Sequence, residues 1–210
     1  MLIYAALIFN LLLPLNKDNC LSLYDAPLCE RYSQFDSDFL DVYNLKIANA
    51  FLYGKCDEFL ASTGLPDKIM IGQRTFNVHS KTDIDRVLSV VKEPEIAVIH
   101  YAGIDMWYVY DNEIIPSTID FRKANKHVTY GETIFDNTYT FKEFKKQFPK
   151  SASINSKTGQ SFFSMATQEK GNDFEHYLLL RKSKDDSNVT LMVEFTFEKG
   201  NLIYIFFANF

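Results

Sequence analysis

The period of the apolar residues changes at Pro94, and this change restricts the fold more than any other feature of the sequence. Upstream, the segment "KTDIDRVLSVVKEP" predicts a helix over 82–92, with Thr82 as its cap and Asp85 three residues later. Its apolar residues recur at i, i+3, i+4 and i+7, namely Ile84, Val87, Leu88 and Val91. One buried face is therefore expected for this helix.

Downstream of the proline, the pattern becomes the two-residue alternation of β-strands. "EIAVIHYAG" predicts one strand, and "IDMWYVY" and "IIPSTIDF" predict a hairpin around the polar turn Asp111–Glu113. Because a proline cannot donate to a strand ladder, Pro116 predicts an edge strand or a β-bulge. Consecutive strands joined by tight turns indicate an antiparallel sheet.

Shorter patterns complete the expected secondary structure. Further strands are predicted over 45–53, within 67–79 on either side of Gly72-Gln73, and over 160–167, 174–182 and 189–197. A short helix over 57–63 ends at Gly64, and another follows Thr140, with Glu143 as its capping-box partner. The turn Glu198–Asn201 joins the last two strands. The sequence therefore predicts an α+β fold in which antiparallel sheets are packed by short helices.

The two halves of the chain resemble each other weakly. Phe59 and Phe144 each follow a glutamate in a short helix, and they lie 85 residues apart. Trp107 and Phe195 each lie in an aromatic hairpin, 88 residues apart. These offsets favour two similar tandem modules over 43–122 and 128–210, and chance similarity is the alternative.

The N-terminal run "MLIYAALIFNLLLPL" contains no charged residue. It is shorter than a membrane span of about 20 apolar residues and suits the core of a signal peptide. We therefore expect residues 1–15 to be a signal peptide, 16–42 to be an irregular arm, and the mature protein to be exported, periplasmic or secreted, without a membrane span. No Lys or Arg precedes the run, which keeps open a cytoplasmic protein that retains it as a buried strand or helix.

The cysteines fit export without requiring it. In an oxidising compartment, Cys20 and Cys29 are the candidates for a disulfide, with Cys56 free and buried. Other pairings, or three unpaired thiols, stay open. No C-x-x-C pair is present, so the sequence does not support a zinc knuckle or a thioredoxin-like site.

The familiar signatures of catalysis and cofactor binding are missing from the sequence. It contains no G-x-S-x-G elbow and no phosphate-binding glycine loop, and its four histidines are scattered singly. A pairing of Cys56 with His100 or His176 has no local support. We therefore expect no enzyme activity, no cofactor and no metal, and the net charge of −5 argues against nucleic acid as a partner.

A local resemblance points in the same direction. The segment "DEFLASTGLPDKI" is a short helix that ends at G-x-P-D before a strand. It resembles a pattern in β-lactamase-inhibitor-protein-like folds and in small outer-membrane assembly lipoproteins. The resemblance implies helices on one face of an antiparallel sheet, sometimes in tandem, and non-catalytic protein binding. The matching residues are structural, so no functional residue is carried over.

A sheet covered by helices on one side leaves its other face for recognition, and aromatic residues are enriched at such surfaces. Tyr108 and Tyr110, on one face of the predicted hairpin, are the candidate protein-binding residues, although the same rings would equally serve as core. The predicted function is an exported, non-catalytic protein-binding module, associated with the envelope or acting as an inhibitor or immunity protein. The alternatives are an exported hydrolase with an unrecognised site and a cytoplasmic immunity-type or structural protein.

Overall fold

A computed structural model describes residues 40–92, 95–109, 112–149, 166, 167, 169, 174–182 and 189–209. They divide into two compact units: the first unit is Asp41–Asn137, and the second unit includes Thr138 and the residues after it. Each unit combines short helices with antiparallel strands. The predicted α+β fold with antiparallel sheets is confirmed.

The first unit begins with a single 3-10 turn, Val42–Asn44. Its helices are α1 (Cys56–Thr63) and α2 (Lys81–Leu88). Its strands are β1 (Lys46–Ile47), β2 (Ala50–Phe51), β3 (Gly54–Lys55), β4 (Lys68–Ile71), β5 (Arg74–Asn77), β6 (Ala97–Tyr101), β7 (Ile104–Val109), β8 (Glu113–Asp120), β9 (Val128–Tyr130) and β10 (Thr133–Phe135). The second unit contains α3 (Phe141–Gln147), β11 (Phe174–Lys182), β12 (Val189–Glu198) and β13 (Asn201–Asn209).

The strands of the first unit form two antiparallel groups. In the larger group the order is β5-β4-β6-β7-β8, and β3 also pairs with β8. The smaller group has the order β10-β9-β1-β2. The segment 45–53, predicted as one strand, is instead the β1–β2 hairpin, because Ala48 and Asn49 both adopt positive φ and reverse the chain.

The two helices of the first unit lie close to their predicted positions. Gly64, at φ 82°, ends α1 as predicted. The helix α2 begins at Lys81, and its cap is Ser80 rather than the predicted Thr82. Ser80 and Asp83 have the spacing of a capping box, and Ser80 Oγ accepts from Asp83 N at 3.2 Å. The helix ends before Val91, and the other three residues of its predicted stripe are buried: Ile84, Val87 and Leu88.

In the second unit, α3 has the predicted capping box. Glu143 N donates to Thr140 Oγ1 at 3.2 Å, while Glu143 Oε2 accepts from Thr140 N at 2.8 Å. Phe144 is fully buried, with its ring centroid 5.1 Å from that of Phe195 and 5.6 Å from that of Phe197. The antiparallel strands β11, β12 and β13 agree with the predicted strands, and the turn after Glu198 is confirmed. Of the strand predicted over 160–167, only 166 and 167 are described, and they are helical.

Several predictions are not decided by the described residues. The signal peptide at 1–15 and all but the end of the arm at 16–42 lie outside them, as do Cys20 and Cys29. The tandem modules over 43–122 and 128–210 also stay a prediction. In the structure, β9 pairs with β1, and this places the strands between 128 and 135 in the first unit.

Candidate functional site: the open face of the first unit

The sheet β5-β4-β6-β7-β8 has two faces of different character. One face is buried: nine of its side chains form part of the core, namely Ile69, Ala97, Ile99, Tyr101, Ile104, Met106, Ile114, Pro116 and Ile119. The opposite face, which we name the open face, carries twelve residues by strand register, none of them buried: Lys68, Met70, Thr75, Asn77, Val98, His100, Asp105, Trp107, Val109, Glu113, Ile115 and Thr118. Antiparallel sheets commonly bury one face and leave the other in contact with solvent.

An apolar row crosses the open face. In register from β4 to β8 it consists of Met70, Val98, Trp107 and Ile115, and the exposed Thr75 on β5 ends it. Trp107 is half-buried, with Val98 opposite it on one side and Ile115 on the other. Neighbours in such a cross-strand row lie about 5 Å apart, so these side chains form a continuous strip.

A polar row runs beside the apolar one. In register from β5 to β8 it consists of Asn77, Lys68, His100, Asp105 and Thr118. His100 Nδ1 is hydrogen-bonded to Asp105 Oδ1, and Thr118 Oγ1 donates to Asp105 Oδ2 at 3.4 Å. The side chains of His100 and Asp105 are 30% and 36% exposed, so solvent reaches the pair.

A β-bulge brings both rows onto the same side of β8. Asp105 pairs with Thr118 and Met106 pairs with Pro116, so Ser117 is the extra residue. Ile115 and Thr118 are three positions apart and would face opposite ways in a regular strand. The bulge places both on the open face, and it confirms the prediction made from Pro116.

The two predicted binding residues have different outcomes. Tyr108 is half-buried on the same face of β7 as Met106, which is the buried face, and its cross-strand neighbours are Ala97 and Ile114. Tyr110 lies outside the described residues. Their assignment to protein binding stays a prediction, while the aromatic side chain on the open face is Trp107.

The structure separates the thiol of Cys56 from the imidazole of His100. Cys56 begins α1, and this helix contacts the buried face: Thr63 Oγ1 lies 2.8 Å from Tyr101 Oη, and the Phe59 and Tyr101 rings meet edge to face. His100 is on the open face. Burial, together with the negative charge of Asp57, raises the pKa of the Cys56 thiol to about 12. A thiol in this environment stays protonated and is a poor nucleophile.

Among the described residues, no cluster of three or more His, Cys, Asp or Glu side chains is arranged to hold a metal ion. None of the helices described is long and apolar enough to cross a membrane.

The polar row was not identified from the sequence, although one feature could have revealed half of it. Ala102 and Gly103 form a two-residue turn between β6 and β7, so residues on either side pair in a fixed order. This turn places His100 opposite Asp105. The positions of Lys68 and Thr118 depend on the pairing of β4 and on the bulge in β8, which the sequence pattern does not specify.

Comparisons with protein-family models, with curated proteins and with solved structures found no match to this chain.

Proposed function

We propose that this protein is a non-catalytic binding module that holds a protein partner against its open face. The observation that carries the proposal is the contrast between the two faces of one sheet. One face is closed by the core, and the other presents an uninterrupted apolar row with the only tryptophan of the chain in it.

The composition of the open face fits protein recognition. Tryptophan is among the residues that contribute most to binding energy at interfaces, especially when surrounded by contacts that exclude water. Trp107 has Val98 and Ile115 beside it, and the polar row provides hydrogen-bonding groups along one edge. A partner that covers Trp107 would remove a large apolar side chain from water. The resemblance of 57–69 to exported helix-plus-sheet modules supports the same class of function.

Site-specific photo-crosslinking tests this proposal. We would introduce benzoylphenylalanine at position 107 and, as a control, at Phe51, which is 45% exposed on the separate β10-β9-β1-β2 sheet. In the native host, a defined protein adduct is expected from position 107 and none from position 51. The proposal is wrong if position 107 gives no adduct, or if both positions give the same ones.

We also propose that the protein is exported, on the basis of its uncharged N-terminal run. The intact mass of the protein purified from its native host tests this directly. Loss of about the first 15 to 25 residues is expected for cleavage by a signal peptidase, which normally recognises a short apolar core. A full-length chain recovered from the cytosol would instead support the cytoplasmic alternative.

A second candidate function is hydrolysis, because His100 and Asp105 have the arrangement of a general base and its orienting carboxylate. Such a site also needs a nucleophile beside the imidazole. Cys56 does not meet this requirement, since it lies on the other side of the sheet and its thiol is protonated. Esterase and peptidase assays of the wild type and of His100→Ala test this candidate, which requires an activity that the substitution abolishes.

A further inference from the structure

We infer that the polar row of the open face binds a carboxylate of the partner, with Lys68 and His100 as its two donors. The inference rests on the proposed function and adds the chemistry of the partner: an acidic residue beside a large apolar one. The acidic residue would meet the polar row, while the apolar residue would cover Trp107.

Lys68 and His100 are placed side by side for this purpose. They are Cα partners on the adjacent strands β4 and β6, so their side chains leave the same face about 5 Å apart. Two nitrogen donors at this spacing can reach the two oxygens of a single carboxylate. Lysine and protonated histidine form charge-assisted hydrogen bonds of the stronger kind with such a group.

The hydrogen bonds already present on the face leave these two donors available. Asp105 uses one oxygen for His100 Nδ1 and the other for Thr118, so its carboxylate is occupied. Among the described residues, Lys68 has no carboxylate within ion-pair distance and His100 Nε2 has no hydrogen-bond partner. The ammonium group and Nε2 are therefore two adjacent nitrogen donors of the row that remain for a ligand, and the exposed Asn77 lies opposite Lys68 on β5.

The charges of the row favour an anion. With the imidazole protonated, Lys68 and His100 each contribute +1 and Asp105 contributes −1, which leaves an excess of one positive charge. β5 contributes only the uncharged Thr75 and Asn77 to the open face. The charged residue that β8 contributes by register, Glu113, lies opposite Val109 on the far side of the apolar row and pairs with Lys55 at 3.5 Å. Lys68, His100 and Asp105 are therefore the titratable groups that face one another in the polar row. A carboxylate is the anionic group that a protein partner supplies most readily.

This arrangement also requires a proton. Since Nδ1–H donates to Asp105, Nε2 can donate only when the ring carries a second proton. Binding of a carboxylate at Nε2 should therefore require a second proton on His100, and affinity should be higher at acidic than at neutral pH. A face that binds through Trp107 alone would show no such dependence.

The test uses a random-peptide library displayed on phage and panned against the full chain. Binding of the selected peptides is followed by the fluorescence of Trp107, which reports on this face because the chain has no other tryptophan. We expect the peptides to share an Asp or Glu next to a large apolar residue. Replacing that acid by its amide should weaken binding about tenfold, the usual effect of losing one charge-assisted hydrogen bond.

Variants of the protein complete the test. Lys68→Glu should remove the selection for acidic peptides, and His100→Gln should remove the pH dependence. Lys46→Glu is the matched control, since Lys46 is a half-buried strand lysine on the other sheet of the first unit, and it should leave both properties intact. Circular dichroism would establish that each variant is folded.

The possible outcomes separate this inference from the proposed function. Peptides that alter Trp107 fluorescence but show no acidic preference would overturn the inference and leave the binding function standing. Selected peptides that leave Trp107 unaffected, or a library that yields no binder, would count against both. An acidic preference that persists in Lys68→Glu would also overturn the inference.

Discussion

Asn112 caps the helix α1 from a position 55 residues away from Asp57. Its side-chain oxygen accepts from Asp57 N at 3.3 Å, its side-chain nitrogen donates to Asp57 Oδ1 at 2.8 Å, and its carbonyl accepts from Cys56 N at 2.8 Å. The residue at the cap position of the helix itself, Lys55, makes no side-chain capping bond. The turn between β7 and β8 is thereby joined to the start of α1.

Asn112→Gly should destabilise the protein by about 1 kcal/mol, the usual contribution of a capping side chain. Glycine tolerates the φ of 60° at this position, so the substitution removes the cap without adding strain. The side chain of Asn112 is also the main cause that holds the pKa of Asp57 below its usual range. Urea denaturation and an NMR titration of Asp57 test both effects, and an unchanged pKa would show that the two side chains do not interact in solution.

Gly103→Ala should be far more damaging than Gly72→Ala. A Cβ at position 103 would lie 2.4 Å from Ala124 N and 2.6 Å from Asp120 O, while one at position 72 meets nothing within 4 Å. Both glycines have positive φ, so the matched variant Gly72→Ala should cost about 1 kcal/mol of backbone strain alone. Gly103→Ala adds a clash with backbone atoms, and we expect a cost of more than about 3 kcal/mol. Equal melting temperatures for the two variants would contradict the close packing at Gly103.

Ala48→Gly should stabilise the protein. Ala48 and Asn49 form the β1–β2 turn with φ of 48° and 73°, a conformation that an alanine adopts at a cost. Glycine relieves this strain, but it also has the greater backbone entropy in the unfolded chain, which offsets part of the effect. The free energy of unfolding should therefore rise by about 0.5–1 kcal/mol. The matched control is Ala50→Gly in β2, where the same change should destabilise. Chemical denaturation of both variants gives the sign of the change in the free energy of unfolding. A loss of stability in Ala48→Gly would argue against the turn conformation.

Asp120 should contribute to acid sensitivity. Burial acts to raise the pKa of this carboxyl, but hydrogen bonds from Arg122 and Lys123 outweigh burial and hold the pKa below its usual range. Because the folded-state pKa is the lower one, the resulting stability is present above about pH 4, the pKa of an unfolded aspartate. It is lost as the pH falls through the folded-state pKa.

Asp120→Asn should therefore be less stable than the wild type at pH 7. The difference should begin to shrink below about pH 4, where Asp120 of the unfolded chain takes up a proton, and should vanish once the pH lies below the lowered folded-state pKa. Urea denaturation across this range is the measurement. The matched control is Asp85→Asn, which removes the charge of an exposed aspartate on α2. The stability of this variant relative to the wild type should change little over the same pH range. A constant difference at all pH values would mean that the ion pairs of Asp120 contribute no net stability.

Local patterns in the sequence predicted local structure well. The capping box at Thr140, the glycine stop after α1 and the buried stripe of α2 depend on residues three or four positions apart, so their physics is contained in a short window. Where two such windows overlapped, the prediction failed. The capping pattern at Ser80 and Asp83 took the place of the one expected at Thr82 and Asp85, and α2 began earlier.

The sequence by itself determined the kinds of elements, the alternation along each strand and the antiparallel character of the sheets. Tertiary structure alone decided that Trp107 faces the open side and Tyr108 the buried one, since alternation separates two faces without saying which will be covered. It also decided the polar row, which needs the register of five strands and a bulge in β8. Those relationships arise from contacts between residues distant in the chain, and no short window of sequence contains them.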